Sequence, residues 1–129
     1  MTTVRQPAEI NLRWAEALNA GDVAAMLELY EPNATVVTAP GAPPISGLSA
    51  IEASLRWLIG LGATATFEPR FWLERGDLAM GSIDFHLADG TDNDGNPVDL
   101  RGRTAEVVRR QPDGTWKYVF DHPFGAGHR

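Results

Sequence analysis

The chain has 129 residues, 43% of them hydrophobic and 22% charged, with a formal net charge of -6 and no cysteine. These are the proportions of one globular domain over residues 1–129, and they exclude a disordered chain, a disulfide framework and thiolate chemistry. The acidic balance excludes nucleic acid as a partner, and no apolar stretch approaches the ~20 residues that cross a membrane.

Met1 to Arg5 lacks the apolar core of a signal peptide, so a cytoplasmic address is expected. Pro7 suits a first helical position, and Ile10, Trp14, Ala17 and Leu18 recur at helical spacing until Gly21 supplies a stop. Asp22 caps a second helix whose face is Val23, Met26, Leu27 and Tyr30, with Pro32 ending it. Thr35 to Val37 reads as a short strand, followed by a proline-rich loop over residues 39–47 that could edge a pocket. Ser49 and Glu52 form a capping-box pair for a third helix, whose stripe is Ile51, Leu55, Leu58 and Ile59 before Gly60. From Thr64 onward β-branched and aromatic residues dominate. Turn signals at Arg75-Gly76-Asp77, at Asp92 to Pro97 and at Pro112-Asp113-Gly114 divide them into four antiparallel strands. The expected class is α+β, three helices covering one face of a curved mixed or antiparallel sheet.

The stretch Trp14-Ala15-Glu16-Ala17-Leu18-Asn19-Ala20-Gly21-Asp22, with Leu29-Tyr30 and Asn33-Ala34-Thr35-Val36, resembles the opening of ketosteroid isomerase and SnoaL-like proteins. Arg103, Glu106-Val107, Asp113-Gly114-Thr115-Trp116 and Asp121-His122 resemble the closing hairpin of the SnoaL-like and DUF4440 groups. The resemblance implies the cone-shaped fold shared with nuclear transport factor 2. That superfamily includes isomerases, dehydratases, epoxide hydrolases, cyclases and non-enzymatic binding proteins. Against ketosteroid isomerase, Thr38 falls at the catalytic aspartate and Trp14 at the helix-one tyrosine, so that steroid mechanism is disfavoured. The carboxylic acid of the penultimate strand falls at Glu106, and the last-strand aspartate of SnoaL-like cyclases falls at Asp121. The two aspartates bridged by an arginine in limonene epoxide hydrolase have no match here, since the Arg-x-Asp expected on a neighbouring strand is absent.

Strand alternation groups Met80, Ser82, Asp84 and His86, then Thr104, Glu106 and Val108, then Lys117, Val119 and Asp121. The opposite parity carries Ile83, Phe85, Trp116, Tyr118 and Phe120, an apolar surface expected to form a homodimer interface through the open sheet face. Asp84, His86, Glu106 and Asp121 are then expected to converge on the helix-covered side. There Asp121 would act as general base while His86 with Asp84 handles the complementary proton. A structural alternative has Asp84 and His86 simply bonded to one another at a wet pocket mouth. Trp14, Tyr30, Thr38, Val119 and His122 are the candidate ligand contacts, His122 turning either to the rim or to the dimer seam. Arg101, Arg103 and Arg109 share the parity of the expected dimer face.

Asp92-Asn93-Asp94-Gly95 lacks the acids of a calcium loop, and the three histidines lack zinc spacing, so no metal is expected. The pattern points to acid–base chemistry without a cofactor on a small hydrophobic, cyclic or carbonyl-bearing molecule, covering isomerisation, dehydration, cyclisation or hydrolysis. The alternative is a non-catalytic ligand-binding or protein-interaction module.

Overall fold

A computed structural model describes residues 3–128. A turn of 3-10 helix, Pro7–Glu9, leads into α1, Ile10–Ala20. Glu9 reaches back to accept from the Arg5 and Gln6 amides, satisfying donors that the helix start would leave open. Gly21, at φ 69°, ends α1 in the left-handed conformation, and Asp22 caps α2, Val23–Leu27, by accepting from the Ala25 amide at 3.0 Å.

The second helix is shorter than its apolar spacing predicts. Tyr30 belongs to strand β1, Tyr30–Val36, not to the helix. Pro32 disfavours a helical Glu31, and the last strand supplies the backbone bond, Tyr118 N–H to Leu29 C=O at 2.7 Å. The loop expected over residues 39–47 contributes β2, Ile45–Ser46, paired antiparallel with β1. Helix α3 spans Leu48–Gly60 with Gly47 at its cap, and the Ser49–Glu52 capping box does not form. Glu52 instead pairs with Arg56 one turn on, at 2.8 Å.

The remaining chain is a long antiparallel meander of β3 (Thr64–Arg75), β4 (Leu78–Thr91), β5 (Pro97–Arg110) and β6 (Trp116–His128). Its turns fall where expected. The carboxylate of Asp92 closes one of them by accepting from the Asp94 and Asn96 amides. β1 adds parallel to β6, giving the order β2-β1-β6-β5-β4-β3. The core lies between this sheet and the helices, with Ile10, Met26, Leu29, Ile51 and Leu55 packed toward Val108, Trp116 and Tyr118.

Two register features correct the expected faces. Gly81 opposes Glu106 and Asp84 opposes Arg103, so the odd-numbered residues of β4 share a face with the even-numbered residues of β5. Ile83, Phe85 and Leu87 therefore point inward, while Met80, Asp84 and His86 point out. On β6, Val107 opposes Phe120 but Val108 opposes Tyr118, leaving Val119 as the extra residue of a β-bulge. The bulge resets alternation. Trp116 and Tyr118 are buried, Phe120 faces out, and Asp121 faces in.

The outward face keeps an apolar row of different composition from the one expected. The register aligns Leu73, Met80, Val107 and Phe120 across four strands, and three of them are 61%, 47% and 53% exposed (Leu73, Met80 and Phe120).

Candidate active site

Between α1, α3 and the concave face of the sheet lies a cavity of about 290 Å³. Its walls are apolar, built from Trp14 and Ala15 on α1, Leu58 on α3, and Phe67, Ile83, Phe85, Leu87 and Phe124 on the sheet. Thr38, Ala39 and Pro40 close one side of its opening, where Trp57 lines the cavity yet is 56% exposed. Two carboxyl groups enter this space. Glu106 is only 2% exposed, and Asp121, half-buried, sits opposite it in register on the next strand. Directly opposed residues have Cβ atoms ~5 Å apart, so the two acids face one another at close range.

Each acid is held by its own relay. The Trp14 indole donates to the Tyr30 hydroxyl at 3.0 Å, and Tyr30 donates to Asp121 Oδ2 at 2.8 Å. On the other side Tyr118 donates to Asn11 Oδ1, and Asn11 Nδ2 donates to Glu106 Oε1 at 3.3 Å. Tyr118 is buried, so its O–H must find an acceptor, and Asn11 Oδ1 provides it. That turns the Asn11 amide nitrogen toward Glu106 and makes Oε1 an acceptor. That arrangement favours Oε2 as the oxygen that carries a proton on Glu106.

Burial pushes the Glu106 carboxyl up to about 8, and the neighbouring Asp121 charge adds to the rise, while bonds from Thr104 and Asn11 oppose it. Burial also lifts Asp121, to about 6, against the hydrogen bond from Tyr30 that favours its charged form. Burial, then the Asp121 charge, raises Tyr30 well above its ordinary range, so its hydroxyl stays a donor. The two acids are thus set apart, Glu106 holding its proton to higher pH than Asp121. Two interacting acids whose environments separate their titrations form an acid and a base in one place.

The structure separates the four expected catalytic residues into two pairs. Asp84 and His86 lie on the other side of the sheet, outside the cavity. Asp84 accepts from Arg103 Nε at 2.9 Å, and His86 Nε2 meets Asp99 Oδ1 at 2.6 Å. Among the expected ligand contacts, Trp14 and Thr38 line the cavity, and Tyr30 stands behind Asp121. Val119 is taken up by the bulge. His122 opposes Ala105 outside the cavity lining, its Nδ1 accepting from the Phe124 amide at 3.1 Å. Asn11 and Tyr118 were not expected. Asn11 announces itself only as a polar residue seven positions from Leu18 on the buried side of α1, and the bulge hid Tyr118. Among the described residues, no group of three or more His, Asp or Glu side chains is placed to hold a metal ion.

A helix-capped curved sheet enclosing an acid-lined cavity of this kind defines a cone-shaped protein of the nuclear transport factor 2-like class. The sequence matches the SnoaL-like domain family over residues 12–119, and the chain belongs to that family. Its fold is similar to that of a conserved protein from Planctomyces limnophilus DSM 3776, at 19% identity and a TM-score of 0.79, covering 91% of each chain. A ketosteroid isomerase-like protein from Erwinia carotovora atroseptica SCRI1043 is similar at 16% identity and a TM-score of 0.77, with 89% of each chain covered. A protein of the NTF2-like family from Streptomyces avermitilis is similar at 22% identity and a TM-score of 0.73, covering 94% of this chain and 95% of that one. At these identities the likeness concerns the fold. No curated protein matches the sequence. Among the described residues, no helix is long and apolar enough to cross a membrane.

Proposed function

We propose that this protein is a cofactor-independent acid–base enzyme acting on a small cyclic or carbonyl-bearing molecule, with Asp121 as the base and Glu106 as the acid. The observation that carries this reading is the pairing of Glu106 with Asp121, in register on neighbouring strands, inside an otherwise apolar cavity. A base poised near neutrality beside a carboxylic acid that keeps its proton can remove hydrogen from carbon or oxygen while the acid hydrogen-bonds the oxygen that gains charge. Glu106 thereby takes the complementary role first assigned to His86 and Asp84. Steroid isomerisation in the ketosteroid isomerase manner remains disfavoured, because the Trp14 N–H is committed to Tyr30.

The outward row of Leu73, Met80, Val107 and Phe120 supports pairing with a second copy through the open sheet face. Proton abstraction can be tested before a physiological substrate is known. Enolisable cyclic ketones are incubated with the protein in heavy water, and deuterium entry beside the carbonyl is followed by proton NMR. Incorporation above buffer that drops by about a hundredfold or more in Asp121→Asn is expected for a positioned general base. Ketones that bind the cavity without any enzyme-dependent exchange would refute the catalytic reading and leave a ligand-binding module.

A further inference from the structure

Charge is distributed one-sidedly around the cavity. Among the described residues lining it, the ionisable groups are Glu106, Asp121 and Tyr118, and no Lys, Arg or His faces the space. Two arginines of β5 are engaged elsewhere: Arg103 with Asp84 on the outer face, and Arg109 with Glu31. A ligand carboxylate or phosphate would enter an apolar enclosure already holding negative charge, with nothing to neutralise it.

The hydrogen-bonding pattern narrows the ligand further. Asp121 Oδ2 accepts from Tyr30 and Glu106 Oε1 from Asn11, with Thr104 a further partner of Glu106, so a guest would meet Asp121 through Oδ1 and Glu106 through Oε2. One oxygen of an uncharged alcohol or ketone can accept from Oε2, while its hydroxyl hydrogen or adjacent C–H faces Oδ1. An ammonium group offers donors alone and leaves the Glu106 O–H without an acceptor. The remaining wall is hydrocarbon, and the half-exposed Trp57 continues it to the opening. At a water's share of ~30 Å³ per non-hydrogen atom, the cavity takes on the order of ten such atoms, the bulk of one or two fused rings.

We infer that the cavity is selective by charge: it takes an uncharged molecule of one or two rings bearing a single hydroxyl or carbonyl oxygen, and it rejects anionic ligands, including carboxylates and phosphate-bearing conjugates. This rests on the proposed roles of Glu106 and Asp121 and names the substrate class for that site.

Four probes sharing one bicyclic skeleton test it: decalone, decalol, decalylamine and decalin carboxylate, titrated calorimetrically into the whole chain at about pH 7, where the acid probe is ionised and the amine protonated. The expected result is binding of the ketone and the alcohol at least roughly tenfold tighter than the carboxylate, with Asp121→Asn narrowing that gap. Equal binding of the carboxylate, or tightest binding of the amine, overturns the charge selectivity while leaving the cavity as a binding site. Binding of none of the four overturns the ligand class. The acid–base pair would still stand or fall by its own titration in the ligand-free protein.

Discussion

Replacing Glu106 with glutamine tests the buried acid without any substrate. The amide mimics the protonated carboxyl: its oxygen can accept from Asn11 Nδ2, and its nitrogen can donate where the Oε2 proton points. In the unfolded chain Glu106 titrates near ~4.3, whereas burial and Asp121 hold it up at about 8 in the folded one. Between those values the folded state binds more protons than the unfolded, so this group's stability contribution is complete below the unfolded pKa. It is lost as pH rises, levelling off only above the folded pKa. The slope is about 1.4 kcal/mol per pH unit, which places about 2–3 kcal/mol of loss between pH 5 and pH 7. Urea unfolding of both proteins at several pH values checks this. Glu106→Gln is expected to gain about 2–3 kcal/mol on the unaltered protein between pH 5 and pH 7, and little below pH 4. Curves that stay parallel from pH 5 to pH 8 would refute the assignment of a proton to Glu106.

Tyr30→Phe removes the bond that favours ionised Asp121, and a bond to a charged group is worth about 1.5–3 kcal/mol, so the Asp121 titration should move up by about one to two units in carboxyl carbon NMR. Phe120→Asp places a charge at the β6 end of the outward apolar row, and light scattering should report a monomer in place of the proposed dimer. Gly102→Ala should cost about 1–3 kcal/mol in urea unfolding, because the new methyl would lie 2.6 Å from the Phe85 ring and 2.8 Å from the Phe124 ring, both in the cavity wall.

Helices, turns and the α+β class were legible because each has a local cause: Gly21 and Asp22 between two helices, the Asp92 turn, the β-branched run after Thr64. Glu106 and Asp121 were legible as inward-facing acids only through family resemblance combined with alternation. Asp84 and His86 were misplaced because alternation tells which residues of one strand share a face and says nothing about its register with the next. A clue was nonetheless present. Ala79, Ile83, Phe85 and Leu87 are apolar and alternate with Ser82, Asp84 and His86, so a sheet covered by helices on one side should bury the former set. Trp116 and Tyr118 were misassigned for a different reason. No residue type marks Val119 as a bulge, and one uncounted residue exchanges the faces of everything before it.

That bulge explains how one strand serves two surfaces. Were β6 regular, Tyr118 and Phe120 would share a face, and Asp121 would lie on the other with Val119. Burying Tyr118 against Tyr30, with ring centroids 5.0 Å apart, would then carry Phe120 inward and turn Asp121 out. The extra residue lets Tyr118 stay in the core to orient Asn11 while Asp121, three positions on, enters the cavity opposite Glu106. Phe120 is released to the outer row by the same step. The acid pair and the outward apolar face are therefore joint consequences of one inserted residue in the last strand, which ties the chemistry of the cavity to the surface on the far side of the sheet.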